Sequence, residues 1–288
     1  MIENTLKKPS WIRSRVPGGE KWKKTAETLS RCGLHTVCDA AQCPNKGECW
    51  GMGTATFMIL GDICTRHCRF CAVSTAKTGA PVREEEGADL AEAVQELSLD
   101  YAVLTSVDRD DLPGRGSDHF ARCISAIKSK NPACKVEVLV PDYFGNELLN
   151  VIRAGPDAAA HNIETVRSLQ GAIRDSRASF NKSLRTLREI KTINSGIVTK
   201  SSILLGLGET EEEILSAMDE LRSAGVDILV LGQYLQPSKN QIPVKEYISP
   251  GTFARLKETA LKKGFLSVVS SPLARTSYHA RMAAEGLI

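Results

Sequence analysis

The sequence predicts an α/β chain in which strands and helices alternate and the strands form a parallel sheet, curved into a barrel or partial barrel. Two observations favour this fold class. From Gly53 onward, short β-rich runs are each followed by a helical pattern, and repeated units of this kind place helices outside a parallel sheet. Polar residues also follow successive strands, which is where the active sites of barrels lie.

The elements are predicted in chain order from these patterns. Strands are expected at 56–60, 101–106, 135–140, 158–163, 197–205, 226–232 and near 265–269. Helical segments are expected at 88–98, 117–130, near 145–153, and at 164–170, 181–194, 211–224 and 252–263. The helix over 211–224 has the clearest signals, because Thr210 is a good N-cap, three glutamates occupy the first turn and Gly225 follows the end.

An open doubly wound sheet fits the same alternation of elements. A nucleotide fingerprint would favour it, but Gly206 and Gly208 are followed by Glu211 where the third glycine would stand. The polar residues at the strand ends favour the barrel: Thr105, Ser106, Asp108, His161, Asn162, Glu164 and Gln233. Each of them alone is typical of a cap or a turn, and their shared position along successive units is what indicates a site.

Length and composition are those of one large globular domain, or of one domain with extensions. Of the 288 residues, 42% are hydrophobic and 25% charged, and no apolar run is long enough to span a membrane. The net charge of +3 gives no support for nucleic-acid binding. Nine cysteines would leave one unpaired in a secreted chain. Their clustering in trios, without an apolar signal-peptide core, indicates metal ligation in a reducing compartment, so we expect a cytoplasmic protein.

Residues 1–31 form a basic arm. It contains eight cationic residues against three glutamates: Lys7, Lys8, Arg13, Arg15, Lys21, Lys23, Lys24 and Arg31 against Glu3, Glu20 and Glu27. Such an arm suits an acidic partner, and a solvated tail is the commoner alternative. A mitochondrial presequence is disfavoured because Pro9, Pro17 and the glycines after it interrupt an amphipathic helix.

The most informative motif is the trio Cys64, Cys68 and Cys71, spaced C-x3-C-x2-C. Three thiolates this close together suit one soft metal site. They are one short of the four ligands of a closed zinc or four-iron site, which suggests a cluster with one iron left open. Three structural cysteines are the alternative, which the polar, basic character of the segment disfavours.

A second trio, Cys38, Cys43 and Cys49, has the spacing C-x4-C-x5-C in a segment rich in loop-forming residues. Both trios fall within 38–71, which chance does not readily explain. The remaining cysteines show no spacing pattern. Packing is expected for Cys123 and Cys134, and Cys32 is only a weak candidate for a spare ligand.

The first trio, with Phe70 before its last cysteine and a strand before the motif, resembles the signature of the radical S-adenosylmethionine enzymes. Further segments resemble the lipoyl synthase family: 34–38, 43–45, 48–50, 54–61, 105–112, 161–165, 206–210, 232–237 and 277–280. The resemblance extends from about residue 8 to about residue 285. It implies a partial (β/α)6 TIM-like barrel over 54–270, an N-terminal extension over 1–53 and a C-terminal extension over 271–288.

The resemblance implies two [4Fe-4S] clusters and S-adenosylmethionine as cofactors. Cys64, Cys68 and Cys71 would hold the cluster that cleaves S-adenosylmethionine to a radical able to abstract hydrogen from unactivated carbon. Cys38, Cys43 and Cys49 would hold a second cluster, with Ser277 as its fourth ligand. That cluster would donate the two sulfur atoms inserted at C6 and C8 of a protein-bound octanoyl chain.

Two departures from the family pattern remove no ligand. Thr276 precedes Ser277 where the family has serine, and Ser271 stands where it usually has glycine. A serine oxygen is a harder and weaker ligand than thiolate for a soft cluster iron, so a cluster held this way can open.

The implied partners are an octanoylated lipoyl carrier domain or glycine-cleavage H-type protein, an electron donor such as flavodoxin or ferredoxin, and a cluster-repair carrier. We expect Thr105, Ser106, Asn162 and Glu164 to contact S-adenosylmethionine, the last two through its ribose hydroxyls. A different radical sulfur-inserting enzyme, like biotin synthase or a methylthiotransferase, is the competing enzyme hypothesis, disfavoured by the second trio and the Ser277 region. A two-cluster electron carrier or a metal-stapled binding module is the alternative from another class.

Overall fold

A computed structural model describes residues 6–14 and 16–286, and its architecture is a curved sheet with helices on the outside. The strands are β1 (His35–Thr36), β2 (Thr56–Ile59), β3 (Ile63–Cys64), β4 (Ser74–Thr75), β5 (Tyr101–Ser106), β6 (Lys135–Leu139), β7 (Ala158–Ala160), β8 (Val198–Leu205), β9 (Ile228–Gln233) and β10 (Ser267–Ser271). The helices are α1 (Glu20–Arg31), α2 (Val37–Ala40), α3 (Lys46–Gly51), α4 (Glu86–Glu96), α5 (Ser117–Lys130), α6 (Asn146–Arg153), α7 (Gln170–Ile173), α8 (Phe180–Ile193), α9 (Glu211–Ser223), α10 (Pro250–Lys262) and α11 (Ala280–Ala284). Short 3-10 turns occupy Pro113–Gly116 and Arg167–Leu169.

The main sheet has the order β1-β2-β5-β6-β7-β8-β9-β10, and every pairing except the antiparallel β1–β2 pair is parallel. Six strand–helix units therefore run from β2 to α10, and β10 adds a seventh parallel strand. Within the described residues, β1 and β10 remain the two edges of this sheet, so the barrel is partial. The predicted partial (β/α)6 barrel is confirmed.

Local signals explain why the predicted elements form where they do. In α9, the Thr210 hydroxyl accepts from the Glu213 backbone N–H and the Glu213 carboxylate accepts from the Thr210 N–H, which completes a capping box. Gly225 follows this helix with φ 85°, a conformation that favours glycine. The α9 face that carries Ile214, Met218 and Leu221 is buried in the second core cluster. Helix α5 has the predicted bounds.

The largest differences from prediction lie at β7 and at the N-terminus. The strand predicted over 158–163 ends at Ala160, and the helix predicted from 164 begins later, because Glu164 has φ 64° and cannot start a right-handed helix. Helix α1 was not predicted from the basic arm. Its buried face includes Thr25 and Thr28, so the apolar periodicity is thin. The remaining boundaries differ by a few residues.

The C-terminal extension joins the two edges of the partial barrel. Asn45 donates to the Leu273 carbonyl oxygen at 2.6 Å, and the Tyr278 hydroxyl donates to Glu48 at 3.1 Å. On the β9 side, Gly232 lies so close to the Ala274 carbonyl oxygen that a Cβ at position 232 would collide with it. The segment after β10 therefore occupies the gap between β10 and the N-terminal extension. The domain boundaries predicted at 53/54 and 270/271 stay a prediction.

Among the described helices, none combines the length and apolar character that crossing a bilayer requires.

Candidate active site

A cavity of about 570 Å³ lies at the carboxyl ends of the parallel strands. The shared edge of a parallel sheet collects the residues that follow each strand, and the N- and C-terminal extensions supply the remaining wall. Every predicted site residue lines this cavity: Cys38, Cys43, Cys49, Cys64, Cys68, Cys71, Thr105, Ser106, Asn162, Glu164 and Ser277. The structure thus brings together residues that are up to 239 positions apart in the chain.

The first cysteine trio begins with Cys64 at the end of β3 and continues into the loop before β4, and backbone N–H groups point at its sulfur atoms. The Arg66 N–H donates to Cys64 Sγ at 3.4 Å, and the Asp175 N–H donates to Cys68 Sγ at 3.3 Å. Cys71 Sγ accepts from the Val73 N–H. Backbone donors stabilise sulfur as a thiolate, the form that ligates metal.

Burial opposes that stabilisation in this trio. It raises the pKa of Cys64 to about 11 and the pKa of Cys71 to about 12, and it raises the pKa of Cys68 as well. Negative charge on neighbours adds to the shift, from Asp108 at Cys64 and from the other thiols at Cys71. These thiols therefore need a positive partner, such as iron, before they ionise near neutral pH.

The second trio comes from the N-terminal extension, with Cys38 in α2, Cys43 in the following loop and Cys49 in α3. Burial raises the pKa of Cys38 to about 11 and the pKa of Cys49 to about 12, and the neighbouring thiols add to both shifts. Arg275 lines the cavity and places a half-buried guanidinium beside Cys43 and Glu164, a positive charge where three thiolates would gather.

Neither trio has the geometry of a single-ion site. Among the described residues, the ligand set that converges within 4.8 Å is instead Glu86, His119 and Cys123, which lie outside the cavity. In that set Arg122 donates to His119 Nδ1, so Nε2 carries the proton and donates to Glu86 at 2.7 Å. We interpret these three residues as a hydrogen-bonded core network.

Ser277 faces the cavity from the C-terminal segment. Its hydroxyl oxygen accepts from the Thr56 hydroxyl at 2.7 Å. The preceding Thr276 hydroxyl is paired with the Asn162 side chain, whose amide nitrogen lies at 2.9 Å. Side chains after β7 and at the start of β2 thus fix the segment from both sides.

The four residues predicted to contact S-adenosylmethionine differ in how they are engaged. The Thr105 hydroxyl donates to the Leu139 carbonyl oxygen at 3.1 Å. Ser106 lies beside the Tyr143 phenol, and its hydroxyl makes no hydrogen bond of ordinary length. The Asn162 amide donates to Glu164 at 3.0 Å, so these two side chains form one polar patch.

Glu164 combines burial with backbone strain. Burial raises the pKa of its carboxyl group, and its positive φ is uncommon for a residue with a side chain. Such outliers cluster at functional sites because the surrounding structure must hold them in place. Two strand-end residues have structural roles instead. The Gln233 side chain is hydrogen-bonded to backbone atoms at the end of β8 and in the segment between β9 and α10, and His161 is buried between Val140 and Ser183.

Sequence reasoning missed a charged network beneath the first trio. The Arg66 guanidinium contacts Asp110 and Asp142 at 2.8 Å each, and Asp108 at 3.4 Å. Burial raises the pKa of Asp108 to about 6, and Arg66 opposes the shift. The signal was present in the sequence, since Arg66 lies inside the first cysteine motif and Asp108 and Asp110 follow β5. This network fixes the loop that carries the trio.

Of the remaining cysteines, Cys123 and Cys134 are buried in the core, as predicted. Cys32 is also buried, and it does not line the cavity.

His161 gives a prediction for pH-dependent stability. Burial lowers its pKa from 6.5 to about 4, so the folded chain favours the neutral ring. This stabilisation is complete above pH 6.5 and is lost as the pH falls towards 4, because the unfolded chain takes up the proton first. The full effect is about 3 kcal/mol, since one pKa unit corresponds to about 1.4 kcal/mol.

Urea unfolding under anaerobic conditions at pH 7.5 and pH 5.0 measures this effect. The wild-type chain should lose about 2 kcal/mol more than a His161→Asn variant over this interval. Equal losses for the two chains would contradict the assignment.

Comparison with known proteins bears on this site. Residues 58–229 match the Radical SAM superfamily. Over 276 residues the chain is 52% identical to the lipoyl synthase of Anaeromyxobacter dehalogenans, covering 95% of this chain and 94% of that one. The chain belongs to the lipoyl synthase family of radical S-adenosylmethionine enzymes. The family and the fold predicted from the motifs are therefore confirmed.

Other members of the family are similar over the same span. The lipoyl synthase of Halorhodospira halophila is 47% identical, with 97% of this chain and 84% of that one covered. A mitochondrial lipoyl synthase of Picea sitchensis is 47% identical, with 96% and 74% covered. Family members thus come from more than one compartment, and the cytoplasmic location stays a prediction.

Solved structures show the shared fold. The FeFe-hydrogenase maturase HydG from Carboxydothermus hydrogenoformans aligns with a TM-score of 0.60 at 16% identity, covering 93% of this chain and 67% of that one. Methylornithine synthase aligns with a TM-score of 0.58 at 15% identity, covering 85% and 77%. At these identities the likeness concerns architecture alone.

Membership of the radical S-adenosylmethionine family implies one four-iron cluster and S-adenosylmethionine. The donor set in the cavity fits such a group: three thiols without a fourth cysteine, backbone N–H groups on the sulfur atoms, and polar side chains at the strand ends.

Proposed function

We propose that this chain is a lipoyl synthase, which inserts sulfur at C6 and C8 of an octanoyl chain carried on a protein lysine. The observation that carries the proposal is that both cysteine trios and Ser277 line one cavity. A substrate carbon in that cavity is within reach of both ligand sets. An electron carrier has no need of such a shared chamber between its clusters.

Each trio has a separate role in this proposal. Cys64, Cys68 and Cys71 would hold the cluster that binds S-adenosylmethionine through its open iron. Cys38, Cys43, Cys49 and Ser277 would hold the second cluster. When bound, these groups supply hydrogen abstraction from unactivated carbon and the sulfur that replaces the hydrogen.

The chain's own residues prepare the cavity for these groups. Backbone N–H donors hold the sulfur atoms of the first trio, and the Arg66 network keeps its loop in place. We assign Asn162 and Glu164 to the ribose hydroxyls of S-adenosylmethionine, and Thr105 and Ser106 to the neighbouring part of that molecule. Side chains of Met58, Val107 and Val140 give the cavity an apolar wall, which suits an octanoyl chain and excludes water.

Anaerobic reconstitution tests the proposal directly. After iron and sulfide are restored, dithionite and S-adenosylmethionine should give 5'-deoxyadenosine, and an octanoylated carrier domain should gain two sulfur atoms by mass spectrometry. 5'-Deoxyadenosine without sulfur addition would indicate a different radical reaction. If neither 5'-deoxyadenosine nor sulfur addition were detected, the electron-carrier hypothesis would be favoured.

The partner proposal concerns the basic arm beside the cavity. Lys8 and Ser14 line the mouth of the cavity, and Lys7, Lys8 and Arg13 are exposed. Arg15, which belongs to the same predicted arm, lies outside the described residues. The arm is not a solvated tail throughout, since its second half forms α1 and buries Leu29. An acidic octanoylated lipoyl domain or H-type protein would complement the positive charge of the arm. We further propose flavodoxin or ferredoxin as the electron donor, and a separate carrier protein for cluster repair.

Removing the charges of Lys7, Lys8 and Arg13 by substitution with Gln should slow association with the octanoylated domain by about tenfold at low salt, because steering by charge acts on the encounter rate. Wild-type binding should weaken as salt rises. Stopped-flow association measures both effects. Substitution of the exposed Lys130, Arg188 and Lys262 with Gln removes the same charge elsewhere and should change little. Binding that is independent of salt would contradict a role for the arm.

A further inference from the structure

Two oppositely charged side chains are fully buried in the interior of the barrel. Lys200 in β8 donates to both carboxylate oxygens of Glu137 in β6, at 2.7 Å each, and both residues have 0% exposure. The Tyr101 hydroxyl also donates to Glu137, at 2.7 Å. Burying two charges costs several kcal/mol per ion, and apolar side chains of similar volume often give equal or greater stability. Stability alone therefore does not account for this pair.

The third donor of Lys200 leads to the C-terminal extension. An ammonium group has three N–H bonds, and two of them are used by Glu137. The third points to the Thr276 carbonyl oxygen at 3.4 Å. Thr276, the residue next to Ser277, thus supplies the third acceptor of the buried Lys200 ammonium group. If the segment moved away, the buried ammonium would lose an acceptor, which costs more than losing a bond exposed to water.

Side-chain contacts hold the same two residues from the cavity side. Asn162 pairs with the Thr276 hydroxyl, and Thr56 donates to the Ser277 hydroxyl. These contacts are neutral, whereas Lys200 supplies a charged donor to the backbone itself. The Lys200 contact therefore adds a charged donor, from the interior of the barrel, to the neutral contacts that hold the segment.

We propose that Lys200, held by Glu137, is a positioning residue that fixes the Thr276 backbone and thereby presents Ser277 to the second cysteine trio. The inference rests on the ligand role of Ser277 in the proposed function. A serine oxygen is a weak ligand for cluster iron, so the protein must supply its placement. A buried ion pair supplies rigidity that a neutral contact at the surface would not.

The test uses the full chain with Cys64, Cys68 and Cys71 replaced by Ala, so that bound iron reports the second site alone. After anaerobic reconstitution, the rate of iron release to a chelator is measured. The double variant Lys200→Met with Glu137→Gln removes both charges and leaves no buried ion unpaired. We expect it to release iron several-fold faster than the background chain, approaching the rate of Ser277→Ala.

A matched control keeps the pair intact. Tyr101→Phe removes the other donor to Glu137 but leaves the Lys200 contact with Thr276, and it should release iron at the background rate. If the double variant does not fold, Lys200→Gln with Glu137→Gln takes its place, because it also leaves no buried ion unpaired and keeps polar side chains at both positions, with a smaller increase expected. The absorption spectrum of the reconstituted cluster provides a readout independent of activity.

Combining the variants separates positioning from general destabilisation. In a chain that already carries Ser277→Ala, the Lys200 and Glu137 substitutions should accelerate iron release no further, because the group they position is gone. Effects that multiply would overturn the inference. If Ser277→Ala released iron quickly but the double variant released it at the background rate, the positioning role of Lys200 would be overturned and the ligand role of Ser277 would stand. A Ser277→Ala chain at the background rate would instead overturn the ligand role of Ser277, and the inference with it.

Discussion

Replacing Cys64, Cys68 or Cys71 with Ala is expected to abolish cleavage of S-adenosylmethionine completely. In the proposed function the electron for that cleavage comes from a cluster held by these residues, which lie at the end of β3 and in the following loop and line one cavity. Replacing Cys38, Cys43 or Cys49 should leave cleavage measurable and stop sulfur insertion. The two trios occupy different elements, so loss of one leaves the fold around the other intact.

The measurement is 5'-deoxyadenosine by chromatography and sulfur addition to an octanoylated carrier by mass spectrometry, both under anaerobic conditions. Cys134→Ala is the matched control, because Cys134 is buried and lies outside the cavity, and it should retain both activities. If well-folded variants of both trios lose cleavage equally, the two assigned roles are wrong.

The fold was predictable because each element carries its own local signals. The α9 helix shows this, with Thr210, the acidic first turn and Gly225 all present within 16 residues. Closure of the sheet was not predictable in the same way. Barrels and doubly wound sheets use the same strand–helix unit and differ in how the sheet curves, which is a property of the whole sheet. The resemblance to a family, rather than periodicity, provided the six-unit barrel.

The two terminal extensions show where local patterns stop being informative. The chain between β10 and α11 has no regular structure, and its placement depends on contacts such as Asn45 with Leu273, 228 residues apart. No local spacing encodes a contact of that kind. Helix α1 escaped prediction for a different reason, since threonine hydroxyls occupy part of its buried face.

The site was predicted in part for the same reasons. The cysteine trios are local motifs, and their spacing was enough to group them. Glu137 was not recognised as buried because it alternates with apolar residues in β6, and Lys200 because it lies between the polar residues Thr199 and Ser201 in β8. Both patterns are typical of a face in contact with water. The sheet face that carries Glu137 and Lys200 is buried because the barrel is partly closed and the C-terminal segment fills its gap. Arg275 lies two residues before Ser277, and its half-buried position beside Cys43 depends on the same segment.

Ser277→Ala should stop lipoyl formation while cleavage of S-adenosylmethionine persists. The hydroxyl lies in the cavity wall with the second trio and accepts from Thr56, so the substitution removes a ligand oxygen without changing the first trio. Thr276→Ser is the matched control. It restores the residue that the family pattern has, keeps a hydroxyl for Asn162 and should leave both activities unchanged.

Ser277→Cys is the sharper variant because it strengthens the ligand instead of removing it. Thiolate binds soft cluster iron more firmly than a serine oxygen, so the second cluster should persist while sulfur release falls. The ratio of iron retained after turnover to lipoyl product formed should therefore be higher than in the wild-type chain. In this variant the Thr56 hydroxyl loses its oxygen acceptor and faces a larger sulfur atom. Wild-type product yield from Ser277→Cys or Ser277→Ala would show that Ser277 is not the fourth ligand.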